Sequence, residues 1–172
     1  YYQQKADYQI SVILDDERQT LKGEETITYK NNSPDVLTYL WVQLDQNMRA
    51  KDSETKAIAT NSINNGRMDA KNLKKLHNDF DGGFKLDYVK DASGADLPYV
   101  VNKTMMRVDL PKALKPGASY SFRIKWWYNI NNRIKIGGRS GFEHFEEGDN
   151  LVYTIAQFFP RMCVYDDVSG WQ

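Results

Sequence analysis

Large apolar side chains alternate with polar ones from residue 120 to residue 130. The apolar positions are Tyr120, Phe122, Ile124, Trp126, Tyr128 and Ile130, and the opposite face carries Ser121, Arg123, Lys125 and Asn129. Side chains of a β-strand point alternately to its two faces, whereas a helix would spread these six groups around its axis. The stretch therefore predicts a long strand with one face on a core.

Weaker alternation and turn signals predict further strands on both sides of this one. They cover 5–16, about 20–31, 36–44, 84–88, 98–102, 106–110 and 151–158. The first three have short links, which predicts an antiparallel meander. No βαβ spacing occurs, so the fold class is all-β. We expect an antiparallel β-sandwich or saddle-like sheet with long polar loops and at most one or two short helices.

Two polar regions interrupt the strands. Residues 45–80 are rich in Asp, Asn, Lys, Ser and Thr, and we expect an excursion with one short helix from Met68 to His77. Residues 131–150 form a second irregular region with several glycines. The length of 172 residues suits one domain, so residues 1–172 are predicted to form a single domain.

Charge and cysteine content exclude several function classes. The chain has 23 basic and 23 acidic residues, so nothing favours a nucleic-acid partner. It has no apolar run of about 18 residues, so no transmembrane segment is predicted. Cys163 is the single cysteine, which rules out an intramolecular disulfide. Its apolar neighbours favour a small buried side chain over a nucleophile.

No catalytic or metal-binding pattern is complete in the sequence. The two histidines, His77 and His144, lie outside any H-E-x-x-H motif. The acidic residues around His144 indicate a solvated loop rather than a metal site. The glycine-rich run from 137 to 141 lacks the G-K-[ST] ending of a phosphate loop, and the tryptophans indicate core packing rather than a sugar platform.

The stretch from residue 151 to residue 172 carries the best candidate binding residue. It begins as a strand that is apolar on both faces, which predicts burial on both sides, and Pro160 then ends the ladder. Gln157 is a neutral amide at the end of that apolar run. It is either a structural hydrogen-bonding group or a binding residue. We expect the apolar tail from Phe158 to Trp171 to be an exposed docking surface.

Several motifs occur in an order that resembles a known family. They are Tyr29 to Asp35 (YKNNSPD), Leu40 to Leu44 (LWVQL), Leu110-Pro111, Leu114 to Gly117 (LKPG), Gly138 to Gly141 (GRSG), Ala156 to Met162 (AQFFPRM), Tyr165 to Asp167 and Gly170-Trp171. Together they resemble the amino-terminal β domain of bacterial aminopeptidase N-like zinc metallopeptidases, the gluzincins. The resemblance covers essentially the whole chain, and the final motif is its most specific part.

The resemblance implies a non-catalytic first domain of a longer metallopeptidase. Zinc and the catalytic groups would belong to a following domain, because H-E-x-x-H is absent here; this chain would bind no metal and hydrolyse nothing alone. Its partners would be that catalytic domain and peptide substrates, whose free amino group Gln157 would help bind. The chain's start at Tyr1 is compatible with a removed signal peptide, which favours a periplasmic or cell-envelope location over a cytoplasmic one.

Two alternatives stay open at this stage. One is a free-standing β-sandwich module that binds carbohydrate or protein through an aromatic face. The other is the scaffold domain of a peptidase relative that has lost catalysis. The residues that would separate an active enzyme from an inactive relative belong to the catalytic domain, which this sequence does not include.

Overall fold

A computed structural model describes residues 2–55 and 79–172 of the chain. The strands in these ranges are β1 Lys5–Asp15, β2 Thr20–Lys30, β3 Leu37–Gln43, β4 Lys85–Asp91, β5 Tyr99–Asn102, β6 Met105–Leu114, β7 Ser119–Asn129, β8 Gly141–Phe145, β9 Asn150–Thr154, β10 Arg161–Met162, β11 Tyr165–Asp166 and β12 Gly170–Trp171. Helical structure is confined to the 3₁₀ turns Asp45–Arg49 and Glu146–Gly148 and to α1, Arg133–Ile136. The all-β prediction is confirmed.

The first sheet has the order β1-β2-β7-β4, and every neighbouring pair is antiparallel. Strand β2 pairs with β7 along its whole length, from Thr20 opposite Asn129 to Lys30 opposite Ser119. The alternating stretch that predicted β7 therefore lies at the centre of a sheet. Its Phe122, Ile124 and Trp126 are at most 1% exposed, as the alternation predicted.

The second sheet has the order β10-β3-β6-β5 and is also antiparallel. Strand β3 lies in this sheet, so the predicted three-stranded meander of β1, β2 and β3 is wrong. The polar turn from residue 31 to residue 36 carries the chain from one sheet to the other. Asn31 supports this crossing, because its buried side-chain amide donates to the carbonyl oxygens of Asp35 and Leu114.

Buried side chains of both sheets form one cluster, which makes the fold a two-layered sandwich. Ile27 of β2, Leu40 of β3 and Val108 of β6 are fully buried within it. One charged residue type shares this core: Glu25 is only 1% exposed, and burial raises the pKa of its carboxyl to about 9. Glu25 therefore sits in the core as a protonated acid at neutral pH.

Register shifts explain where strict alternation misassigns a face. The β3–β6 ladder shifts between Leu37 and Tyr39, so Leu37 is buried on the same side as Leu40, and Val36 is 57% exposed. Strict alternation from 36 to 44 would put Val36 on the same face as the buried Leu40, and that assignment is wrong for Val36. A bulge inserts one residue into a strand, and every side chain beyond it changes face. The β4–β7 ladder shifts in the same way between Leu86 and Tyr88, which leaves Val89 buried.

The C-terminal region, residues 131–172, contains only short strands. Strands β8 and β9 pair with each other as a two-stranded hairpin, and β11 and β12 form another. The predicted strand 151–158 ends at Thr154, and its Val152 is 50% exposed. The prediction that this strand is buried on both sides is wrong, because no large sheet flanks β9 among the described residues.

The helix predicted from Met68 to His77 lies outside the described residues. None of the helices in the described ranges could span a membrane.

Candidate functional site

Gln157 lies on the bend that joins β9 to β10, referred to as the turn. Its backbone has φ of +52°, and its side chain is exposed. Left-handed backbone is uncommon for a residue with a side chain and costs on the order of 1 kcal/mol or more. Such a conformation persists only where the surrounding structure imposes it. The groups that impose it are the buried side chains next to the turn.

Gln46 holds the turn from the second sheet. It is 3% exposed and belongs to the 3₁₀ turn that follows β3. Its Nε2 donates to the carbonyl oxygens of Ala156 and Gln157, both at 3.0 Å. Its Oε1 accepts from Nη1 of Arg49, also at 3.0 Å. Both polar atoms of the Gln46 amide are thus paired, and its Nε2 fixes the backbone at Ala156 and Gln157.

Ser140 holds the same turn from the opposite side. Its hydroxyl oxygen accepts a hydrogen bond from the backbone N–H of Ala156 at 2.8 Å, and Ser140 is 5% exposed. The carbonyl oxygen of Ser140 accepts in turn from Nδ2 of Asn131 at 2.8 Å. Gly141 follows with φ of +146°, and a Cβ there would overlap the carbonyl oxygen of Asn131. Only glycine lets the chain pass this close.

An ion pair fixes the chain just after the turn. Nε of Arg161 donates to Oδ2 of Asp45 at 2.8 Å, and Nη2 donates to Oδ1 at 3.4 Å. This hydrogen bonding raises the pKa of Arg161. A two-pronged guanidinium–carboxylate contact fixes orientation as well as distance. Because Asp45 directly precedes Gln46, one 3₁₀ turn anchors both ends of the segment that carries Gln157.

The side chain of Gln157 is exposed. Its side-chain amide forms no hydrogen bond within residues 2–55 and 79–172. The amide oxygen can accept a hydrogen bond from a cationic or neutral donor, and the amide NH₂ can donate two. The predicted structural alternative, a hydrogen bond from this side chain to a neighbouring loop, is therefore absent from the described part of the chain.

The aromatic tail after Gln157 is packed rather than exposed, which corrects the predicted docking surface. Phe158, Phe159, Met162, Tyr165 and Trp171 all pack against the sandwich core. The backbone N–H of Met162 also donates to the hydroxyl oxygen of Tyr8 at 2.9 Å. The tail exposes only scattered apolar groups, of which Val168 at 90% is the most exposed.

The remaining candidate residues do not converge on a second centre. Cys163 is 4% exposed, and burial raises the pKa of its thiol to about 11, as expected for a packed side chain rather than a nucleophile. His144 pairs with Asp149 at 2.7 Å on the surface. Residues 2–55 and 79–172 contain no cluster of three potential metal ligands. His77 lies outside these ranges.

The sequence suggests Gln157 as a candidate binding residue, but it does not indicate the residues that hold its backbone. Gln46 lies in a polar stretch where no pattern marks a buried side chain, and its partners are 110 and 111 residues away in sequence. Ser140 and Asn131 lie in the region 131–150, for which the sequence predicts only an irregular loop. The burial of Glu25 can be predicted from the sequence, because the alternation of β2 places it on the same face as Ile27 and Tyr29.

Comparison with known proteins gives a loose structural likeness and no sequence match. No family model matches the chain, and no curated protein matches it. A two-domain M1 zinc metallopeptidase mutant bound to L-tryptophan is 13% identical, with a TM-score of 0.42 over 77% of this chain and 22% of that one. An M1 zinc metallopeptidase mutant from Deinococcus radiodurans is 14% identical, with a TM-score of 0.44 over 82% and 24%.

A second structure of the Deinococcus radiodurans enzyme, bound to a Tyr-Ser-Ala substrate, is 14% identical with a TM-score of 0.42 over 76% of this chain. The chain spans between 21% and 24% of the length of these solved structures. Likeness at this level assigns neither a family nor a site residue to the chain.

Proposed function

We propose that this chain is a non-catalytic β domain of a zinc-dependent aminopeptidase and that Gln157 helps to bind the free amino group of peptide substrates. The proposal starts from the order of motifs that resembles the gluzincin β domain, above all the segment from Ala156 to Met162. Zinc and the groups that attack the peptide bond would belong to a separate catalytic domain, against which this domain would pack.

One structural observation supports the role of Gln157. Its side chain is exposed on a turn whose backbone is held by Gln46 on one side and Ser140 on the other. An amide presented from a rigid turn can accept a hydrogen bond from a substrate ammonium with little loss of conformational entropy. Carboxylates of the catalytic domain would supply the opposite charge, and the neutral amide would supply direction.

The coding sequence downstream of residue 172 gives the first test of the domain assignment. We expect several hundred further residues that include H-E-x-x-H and a later glutamate. A continuation in which these ligands are replaced would leave a scaffold domain of an inactive relative. A coding sequence that stops near residue 172 would contradict the proposal and favour the free-standing binding module.

The role of Gln157 is tested by Gln157→Gly in the full-length enzyme. Glycine removes the amide and accepts φ of +52° without strain, so the fold should be kept. We expect kcat/KM for peptides with a free N-terminus to fall by roughly ten-fold, the effect of losing one hydrogen bond to a charged group. Gln9→Gly, at an exposed position on β1, is the control for removing a surface glutamine. An unchanged kcat/KM in Gln157→Gly would remove this role.

A further inference from the structure

A cleft of about 590 Å³ lies between the start of β1 and the C-terminal segment. Its lining includes four tyrosines and two aspartates: Tyr2, Tyr8, Tyr29, Tyr165, Asp166 and Asp167. The volume is within the range of small-molecule sites in proteins. Neither Gln157 nor the side chains that hold its turn contribute to this lining.

Two of the tyrosines that line the cleft, Tyr29 and Tyr165, pack against Trp171, which lies next to the lining. The ring of Trp171 lies 5.1 Å from the ring of Tyr165 and 5.9 Å from the ring of Tyr29, measured between centroids. Packed rings of this kind are rigid and present electron-rich faces that attract cations.

Carboxylates give the same cleft a negative field. Asp166 and Asp167 line it, and Asp35 accepts a hydrogen bond from the hydroxyl of Tyr165 at 2.8 Å. None of these three aspartates forms an ion pair within the described ranges, although ten other ion pairs occur there. Desolvation and then the charges of Asp167, Asp35 and Asp166 raise the pKa of the Tyr2 hydroxyl.

Tyr29 supplies a buried polar group that lacks a partner. It is 1% exposed, it lines the cleft, and its hydroxyl oxygen forms no hydrogen bond with the described residues. The hydroxyl oxygen of Tyr2 is buried and unpartnered in the same way. Burial and then the proximity of Tyr165 and Tyr2 raise the pKa of Tyr29. A buried hydroxyl without a partner destabilises the fold, so a ligand that donates a hydrogen bond to it gains affinity.

We propose that this cleft binds a primary ammonium group. The aromatic faces attract the charge, the three aspartates neutralise it, and the hydroxyl oxygens of Tyr29 and Tyr2 accept its N–H groups. An anion would be repelled by the aspartates, and a quaternary ammonium would leave both hydroxyls unpaired. The Tyr29 hydroxyl is buried, so binding of the ammonium group requires side chains of the lining to move apart. The site does not depend on the function proposed for Gln157.

Titration of the full-length protein with n-butylammonium, followed by calorimetry and by the indole N–H resonance of Trp171, tests the proposal. We expect saturable binding that shifts the Trp171 signal and a weaker response to tetramethylammonium. The neutral analogue N-butylacetamide should not bind. Nα-acetyl-lysine methylamide is titrated in parallel, because the same ammonium group occurs on free amines and on lysine side chains. If the lysine compound binds more tightly than n-butylammonium, the natural ligand is a lysine side chain of a protein. If the lysine compound does not bind, the natural ligand is a free amine.

Paired variants locate the binding in the cleft. Tyr29→Phe removes only the hydroxyl and should weaken n-butylammonium binding about ten-fold. Tyr128→Phe removes another buried, unpartnered hydroxyl away from the cleft and should leave the affinity unchanged. Asp167→Asn removes one negative charge and should weaken binding by about three-fold or more. This loss is smaller than that of Tyr29→Phe because solvent screens an exposed charge.

Gln157→Gly separates the two proposals, since it should leave n-butylammonium binding to the cleft unchanged even if it lowers peptidase activity. Failure of n-butylammonium to bind at millimolar concentration, or equal affinities for wild type, Tyr29→Phe and Asp167→Asn, would overturn the proposal.

Discussion

The two-sheet core and the C-terminal region are held together by different interactions. In the core, β2 and β7 pair over eleven residues each and bury large apolar side chains between the sheets. In the C-terminal region the strands have two to five residues, and side chains such as Gln46 and Ser140 bond directly to the backbone. Apolar burial sets the first region, and a few directional hydrogen bonds set the second.

The two-sheet core therefore provides most of the stability, whereas the C-terminal region provides the candidate binding site. A core buries area without needing any single contact, so it tolerates change at many positions. A turn with few contacts depends on each of them, and a side chain such as Gln157 can be presented outward because its backbone is fixed from below. Three predictions test this contrast, from the largest expected effect to the smallest.

Replacing Glu25 by Gln should remove a large pH dependence from the core. The native pKa of about 9 lies above the unfolded value of 4.5, so between these pH values the native state holds a proton that the unfolded state has lost. Stability from this group is fully present below pH 4.5 and is lost as pH rises toward 9, by up to about 1.4 kcal/mol per pH unit. The variant should lack this loss and gain stability relative to wild type at alkaline pH.

Denaturant unfolding from pH 5 to pH 9 measures this effect as the difference between variant and wild type. Glu24→Gln is the matched control, because Glu24 points to the opposite face of β2 and accepts a hydrogen bond from Tyr88. It should keep the wild-type slope. A Glu25→Gln protein that parallels wild type across this pH range would show that the carboxyl is not protonated in the core.

The sequence predicts the core better than the C-terminal region, and particular residues show why. Alternation around Trp126 gives both the strand and its buried face, because period two is a local property. Alternation does not give the partner strand, so the meander that it suggests places β3 in the wrong sheet. It also misses the register shift at Leu37, which depends on the ladder with β6. Local pattern therefore predicts the faces of single strands more reliably than their pairing.

The candidate site was predicted in part for the same reason. Gln157 is recognisable as an amide at the end of an apolar run and from its place in a familiar motif. Its exposure is not predicted, because continued alternation indicates a buried strand up to that residue. Gln46 bonds to residues 110 and 111 positions away, and Asn131 and Ser140 bond across an irregular loop, so no local sequence pattern predicts these contacts. Long-range polar contacts of this kind require the structure.

Gly141→Ala should disrupt the C-terminal region while the core stays folded. The new methyl group would overlap the carbonyl oxygen of Asn131, and φ of +146° disfavours any side chain. We expect a loss of roughly 2–4 kcal/mol, combining backbone strain with steric overlap. Hydrogen exchange should accelerate at the amides of Phe142 and Ala156, which bond to Asn131 and Ser140.

Gly117→Ala separates steric overlap from backbone strain. Gly117 has φ of +77°, but no atom lies within 4 Å of a Cβ built there. This control should lose only about 1 kcal/mol, the cost of left-handed backbone for alanine. Equal losses of stability in Gly141→Ala and Gly117→Ala would show that the close approach of Gly141 to Asn131 adds nothing to the cost of backbone strain.

Gln46→Met should produce the smallest and most local change. Methionine keeps the length of the side chain but cannot donate to the carbonyl oxygens of Ala156 and Gln157. Those two oxygens and the guanidinium of Arg49 then lose a partner, at a cost of about 1–3 kcal/mol. We expect the backbone resonances around Gln157 to broaden or shift, while those of Ile124 in β7 stay unchanged. Gln9→Met, at an exposed position on β1, should affect neither set.

In the full-length enzyme, Gln46→Met should then lower kcat/KM in the same direction as Gln157→Gly, because a loosened turn presents the amide less often in its binding position. Full activity together with a loosened turn would show that the rigidity of this segment serves stability rather than binding.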